Sequence, residues 1–146
     1  MAGDGYVLRL ERTFAAPREV VYRLLSDPVE LATWWGPIGF TVPAIDFEPV
    51  VGRSYRIAMR PPDGDVFHLS GEFLEVERPR RLVFTFLWDP PHADDRPTTV
   101  TIDLEDPASG TTLRLDHGVF ATAERHALHE AGWTESLQRL EQLLAR

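Results

Sequence analysis

A succession of short alternating segments, closed by one amphipathic segment, most constrains the fold of this chain. Between Phe40 and Phe120, large apolar residues recur at every second position in several runs, which is the period of half-buried strands. The run 82–88 is typical, since its even positions hold Leu, Phe, Phe and Trp. Gly71 inside another run indicates a bulge. The turns between runs, including a five-residue hairpin turn at 106–110, favour an antiparallel meander over helical crossovers.

The C-terminal segment 122–145 has the period of a helix. Trp133, Leu137 and Leu140 recur at intervals of four and three, and such a stripe must be buried against another layer. Gly132 costs about 1 kcal/mol in a helix relative to alanine, which suggests that the backbone presses closely on the sheet or on a ring. We therefore expect an α+β domain in which a curved antiparallel sheet wraps around a long C-terminal helix.

Two short helices are predicted after a first strand at 6–14. Pro17 begins the first, and Asp27 followed by proline begins the second. Trp34 and Trp35 are carried by the second helix, which a Gly-Pro break then ends. Large rings held at a corner between a helix and a strand can wall off an apolar pocket. This corner predicts a cavity where the sheet curls away from the long helix.

Composition restricts the kind of protein and its partners. The chain has 146 residues and a net charge of −8, which predicts one domain over residues 1–146 and no nucleic-acid partner. There is no cysteine, as in a reducing compartment. No apolar run is long enough for a membrane span, and the N-terminus lacks a signal-peptide core. We expect a soluble, cytoplasmic protein with no membrane partner.

The candidate ligand-binding residues are those that the strand and helix periodicities place on the side of the predicted cavity. Packing in the core would explain the aromatic rings equally well. The candidates are Trp34, Trp35, Phe40, Met59, Phe86, Trp88, His117, Phe120, His129, Trp133 and Leu137.

His117 and His129 are the candidates for a catalytic role. His117 shares the inward parity of Leu115, and His129 lies one helical turn before Trp133. A histidine lining an apolar cavity can act as an acid or base near neutral pH. The alternative is a structural histidine that is hydrogen-bonded to the backbone.

Other catalytic and metal-binding patterns are missing from the sequence. It has no thiol, no Gly-x-Ser-x-Gly elbow and no phosphate-cradling glycine loop. His126, His129 and Glu130 do not have the spacing of a common zinc site. We expect no metal and no cofactor.

The order of motifs resembles the activator of heat shock protein 90 ATPase homologue family, within the START-like (SRPBCC, polyketide cyclase, Bet v 1-like) helix-grip superfamily. The resemblance spans nearly the whole chain. It is carried by Phe14, 17–25, the Trp-Trp-Gly-Pro run at 34–37, Gly39, Phe40, Gly52, Tyr55, Met59, Gly71, Glu72, Pro79, 81–85, 100–104, Gly110, Thr111, Leu113, the His-Glu-Ala-Gly-Trp run at 129–133, Leu137 and Leu140.

The resemblance implies a START-like fold and three kinds of function, because this superfold carries many activities. The first is binding of a hydrophobic or aromatic small molecule in a cavity between the sheet and the C-terminal helix. The second is a cyclase or hydrolase acting on an aromatic or polyketide-like substrate. The third is a chaperone-regulating or other protein-interaction module, with a chaperone or a second copy as partner. The sequence leaves open whether the loop 89–97 acts as a lid.

Overall fold

The structure, a computed structural model, describes residues 6–106 and 110–145, so residues 107–109 of the predicted hairpin turn lie outside the described residues. The elements in chain order are β1 Tyr6–Phe14, α1 Arg18–Ser26, α2 Pro28–Leu31, β2 Thr41–Asp46, β3 Ser54–Arg60, β4 Phe67–Glu77, β5 Arg81–Asp89, β6 Thr98–Glu105, β7 Thr111–Phe120 and α3 Ala123–Leu144.

The seven strands form one curved antiparallel sheet in the order β1-β7-β6-β5-β4-β3-β2. Strands β2 to β7 form the meander that the short turns predict, and β1 completes the sheet by pairing with β7. The long helix α3 and the two short helices after β1 complete the START-like fold. This confirms the expected α+β architecture.

The core lies between the sheet and the helices because alternate strand residues and one stripe of α3 are apolar. Val100 and Ile102 of β6, Leu115 of β7, and Leu137 and Leu140 of α3 are all buried. Each such side chain contributes roughly 1.5–3 kcal/mol when it leaves water. Among the described residues, no helix is both long and apolar enough to cross a membrane.

The second short helix ends earlier than the sequence predicts. Asp27 caps it as expected, because its Oδ1 accepts hydrogen bonds from the backbone N–H groups of residues 29 and 30. The helix ends at Leu31, and the two tryptophans lie in the turn that follows. Gly36, which follows the two tryptophans, has a φ of +95°, a conformation that glycine adopts without strain.

Gly71 does not mark a bulge, contrary to the sequence-based expectation. The irregularity between β4 and β5 lies between Phe73 and Glu75. A Cβ atom at Gly71 would lie 2.0 Å from the Thr85 carbonyl oxygen and 2.7 Å from a ring carbon of Tyr55. Glycine is required here because β5 and the tyrosine ring approach the backbone too closely for any side chain.

Candidate functional site

A cavity of about 460 Å³ lies between α3 and the sheet, enclosed further by the turn 35–37 and by the loop 90–97. Rings, prolines and one methionine make up most of its wall, together with six residues of α3. The lining residues are Trp35, Gly36, Pro37, Phe40, Met59, Phe67, Phe86, Trp88, Pro90, Pro91, His92, Asp95, Arg125, Leu128, His129, Gly132, Trp133 and Ser136.

The turn at 35–37 is fixed to α3 by polar contacts. Arg139 Nη1 donates to the three successive carbonyl oxygens of residues 35, 36 and 37 at 3.0, 3.0 and 3.3 Å. Glu135 Oε1 accepts a hydrogen bond from the backbone N–H of Ile38 at 3.0 Å. The Trp35 and Trp133 rings also meet edge to face at 5.3 Å. Desolvation lowers the pKa of Arg139, but the carbonyl oxygens compensate for the lost water.

We expect Arg139→Met to destabilise the protein by about 1–3 kcal/mol, because four carbonyl oxygens, those of residues 33 and 35–37, lose a charged donor while the aliphatic stem is kept. Urea unfolding of both proteins measures this loss. Arg23→Met is the matched control, since Arg23 makes an exposed pair with Glu30 at 2.6 Å and such pairs contribute about 0–1 kcal/mol. Equal effects of the two substitutions would contradict a structural role for the Arg139 contacts.

A buried ion pair holds the loop 90–97 against α3. Asp95 Oδ1 accepts from Arg125 Nη2 at 2.7 Å and from Nε at 3.1 Å, and the two side chains are only 6% and 14% exposed. Asp95 Oδ2 also accepts from the backbone N–H of His92 at 2.7 Å. The proline-rich loop is therefore fastened over the cavity in this arrangement.

Both ring nitrogens of His129 are occupied. Its Nδ1 lies 2.7 Å from the Arg125 carbonyl oxygen, which can only accept, so Nδ1 carries the proton. Its Nε2 accepts from the indole N–H of Trp88 at 2.8 Å. Burial lowers the pKa of His129 and outweighs the opposing effect of the carbonyl hydrogen bond. The imidazole is thus neutral, with one fixed tautomer.

His117 lies beneath the cavity wall with the opposite tautomer. Its Nδ1 accepts from the indole N–H of Trp133 at 3.0 Å, so Nε2 donates to Thr98 Oγ1 at 2.8 Å. The Thr98 hydroxyl in turn donates to the Phe86 carbonyl oxygen at 3.2 Å. Burial, and then the neighbouring His129, lower the pKa of His117 well below its usual value.

The arrangement gives neither histidine a free lone pair toward the cavity, because indole N–H groups occupy the one acceptor nitrogen of each ring. A catalytic role for His117 or His129 stays a prediction from sequence. Among the described residues, no group of three or more His, Asp or Glu side chains is placed to hold a metal ion.

Seven of the eleven candidate residues line the cavity, namely Trp35, Phe40, Met59, Phe86, Trp88, His129 and Trp133. The other four are buried elsewhere: Trp34, His117, Phe120 and Leu137. Trp34 is fully buried and donates to the Leu24 carbonyl oxygen at 2.8 Å. Phe120 packs against the His129 ring at 4.6 Å. Leu137, one position after Ser136 on α3, belongs to the core cluster.

Sequence reasoning missed several lining residues and misinterpreted one. Ser136 lies seven positions after His129 and three after Trp133, a helical spacing that could have revealed it. Gly132 does not press against the sheet: a Cβ atom there would meet only Pro37 Cγ, at 3.9 Å. The absence of a side chain at this position leaves the cavity wall open.

Solved structures share this fold over nearly the whole chain. An AHSA1 protein from Silicibacter pomeroyi is 35% identical, with a TM-score of 0.84 and coverage of 95% of this chain and 97% of that one. A protein from Chromobacterium violaceum is 27% identical, with a TM-score of 0.88 and coverage of 97% and 98%. One from Nitrosomonas europaea is 29% identical, with a TM-score of 0.81 and coverage of 96% and 94%. No curated protein matches the chain.

The family comparison agrees with the fold and with the order of motifs in the sequence. The model of the family described as Activator of Hsp90 ATPase homolog 1-like protein matches residues 15–145. That match extends from the end of β1 to the end of α3. At a coarse level, the family and its START-like fold support a ligand-binding or regulatory module. The chain belongs to the activator of Hsp90 ATPase homolog 1-like family.

Proposed function

We propose that this protein binds a hydrophobic, ring-bearing small molecule in the cavity between α3 and the sheet. The observation that carries the proposal is the cavity itself, about 460 Å³ in volume and walled mainly by apolar side chains. Small-molecule sites in proteins are typically concave, largely apolar and about 300–1,000 Å³ in volume.

The polar groups of the wall that are engaged within the protein support a neutral, mainly apolar ligand. The indole nitrogens of Trp88 and Trp133 and both ring nitrogens of His129 are engaged within the protein. The charge of Arg125 is balanced by Asp95. A charged ligand would lose its hydration without finding an unpaired counter-charge among these groups, which is strongly unfavourable.

The arrangement of the rings supports a ligand that itself contains rings. Phe67 meets Phe40 at 6.2 Å and Trp88 at 5.3 Å, and Phe86 meets Trp88 at 5.1 Å, each pair edge to face. A ligand ring that continues this pattern gains about 0.5–1.5 kcal/mol per pair beyond the burial of its area.

Thermal unfolding of delipidated protein against a panel of neutral aromatic and aliphatic compounds tests the proposal. A ligand present at 100 times its dissociation constant adds about 2.7 kcal/mol of stability, which raises the midpoint by several degrees. We expect saturable stabilisation by neutral ring compounds and weaker effects from their carboxylates. An unshifted midpoint across the panel, or a preference for charged compounds, would contradict the proposal.

A further inference from the structure

Three of the four tryptophans use their indole N–H groups within the protein. Trp34 donates to a carbonyl oxygen, and Trp88 and Trp133 donate to histidines. Trp35 Nε1 has no hydrogen-bond partner among the described residues, although the residue lines the cavity and is only 5% exposed. This N–H group therefore has no hydrogen-bond acceptor within the described part of the protein.

The Trp35 nitrogen is not sealed from solvent, and the residue that carries it lines the cavity. Among the described residues, the buried side-chain atoms that have neither solvent contact nor a hydrogen-bond partner are Arg18 Nε and Tyr22 Oη. The Trp35 nitrogen is not among them, so some of its surface remains accessible. Because the ring lines the cavity, a molecule bound there can supply the missing acceptor.

Ser136 carries a second unused donor on the same wall. Its side chain is 5% exposed and lines the cavity, but its hydroxyl has no hydrogen-bond partner among the described residues. A serine within a helix can bond to the carbonyl four residues earlier. Ser26 does so, donating to the Tyr22 carbonyl oxygen at 2.7 Å. The Ser136 hydroxyl is free to bond to a ligand instead.

The two unused donors belong to one part of the wall. Ser136 lies midway between Trp133, whose ring contacts the Trp35 ring, and Arg139, whose guanidinium contacts the Trp35 carbonyl oxygen. Each of these neighbours is about 4.5 Å away along the helix axis, at 1.5 Å per residue. The contacts on both sides hold Trp35 against the segment of α3 that presents Ser136.

We propose that Trp35 Nε1–H and the Ser136 hydroxyl together bind a neutral carbonyl oxygen on the ligand, such as that of an aromatic ketone, quinone or ester. The proposal rests on the proposed function, since it names the ligand class of that same cavity. An indole N–H can only donate, and a carbonyl oxygen has two lone pairs for two donors. A carboxylate is disfavoured because Arg125, the cation in the described lining, is paired with Asp95.

Isothermal titration with three compounds of similar shape tests this class. Benzophenone carries the carbonyl, 1,1-diphenylethylene replaces its oxygen by CH₂, and diphenylacetate carries a charge. Because each neutral hydrogen bond contributes about two- to tenfold in affinity, we expect benzophenone to bind about tenfold more tightly than 1,1-diphenylethylene. We expect diphenylacetate to bind more weakly than either.

Substitutions assign this preference to the two donors. Trp35→Phe and Ser136→Ala should each lower the ketone-to-alkene affinity ratio by about threefold, and the double variant should bring it close to one. Trp88→Phe is the matched control, because Trp88 lines the cavity but gives its N–H to His129. It should change both affinities together and leave the ratio unchanged.

The indole N–H resonance of Trp35 provides a readout that does not depend on any variant. In ¹⁵N-labelled protein it should move downfield with benzophenone and much less with 1,1-diphenylethylene. Saturable binding of both compounds with equal affinity, or a ratio that survives both substitutions, would overturn the carbonyl proposal and leave the cavity function intact. Failure of both compounds and of the wider panel to bind would overturn the two proposals together.

Discussion

Gly132→Leu abolishes binding of apolar ligands while the folded protein stays at least as stable as the wild type. Gly132 lies on the cavity wall, and a Cβ atom there would touch only Pro37 Cγ at 3.9 Å. A leucine side chain would therefore extend into the open space without displacing a core residue. Replacing glycine inside a helix also recovers up to about 1 kcal/mol. We expect affinity to fall more than 100-fold in titrations with the best ligand of the panel.

Gly132→Ala is the control for the filling of the cavity. Its single methyl group fits without a clash, so affinity should stay within about threefold of the wild type. The midpoint of thermal unfolding should rise by about 2–4 °C, because the helix gains about 1 kcal/mol in a chain of this size. Unchanged affinity in the leucine variant would mean that the ligand binds outside the cavity.

The second large effect is a loss of stability in mild acid. Burial depresses the pKa of both His117 and His129 in the folded protein, so the unfolded chain takes up protons first as the pH falls. Above about pH 6.5, the pKa of a histidine in the unfolded chain, both histidines are neutral in the folded and unfolded states and the protein has its full stability. This stability decreases as the pH falls below 6.5 toward the folded pKa values. Each histidine contributes up to about 1.4 kcal/mol per pH unit in this window.

Urea unfolding at pH 7.5 and pH 5.0 measures this loss. We expect the free energy of unfolding to be lower at pH 5.0 than at pH 7.5, by up to about 4 kcal/mol, the limit for two histidines that stay neutral in the folded protein. His117→Gln should reduce this difference, because it removes the more deeply buried of the two histidines. Equal stability of the wild type at both pH values would contradict the burial of two neutral histidines.

The fold could be predicted because its determinants are local and periodic. Alternation along the strands, short turns and the helical stripe through Trp133 and Leu140 each specify an element, and burying their apolar faces leaves few architectures. Gly71 was misinterpreted because its requirement comes from Thr85 on the neighbouring strand. A contact between strands leaves no periodic signal in the sequence.

The candidate site could be predicted only in part, for a related reason. Parity and helical spacing identified Trp88, His129 and Trp133, but they cannot say which of two adjacent rings faces a cavity. In the structure Trp35 lines the cavity, whereas Trp34 is buried in the core and donates to the Leu24 carbonyl oxygen. The pair Asp95–Arg125 joins residues that are 30 positions apart in the chain, so its existence depends on the tertiary fold.

Contact between a bound ligand and Met59 tests the central claim most directly. The sequence contains two methionines, Met1 and Met59, so a protein labelled with ¹³C in the methionine methyl groups gives two signals, and Met59→Leu assigns the one from the cavity. With the best ligand of the panel, we expect intermolecular nuclear Overhauser effects from its ring protons to the Met59 methyl group. They should vanish in Gly132→Leu. Saturable binding without any such effect would show that the ligand occupies another site and would contradict the account.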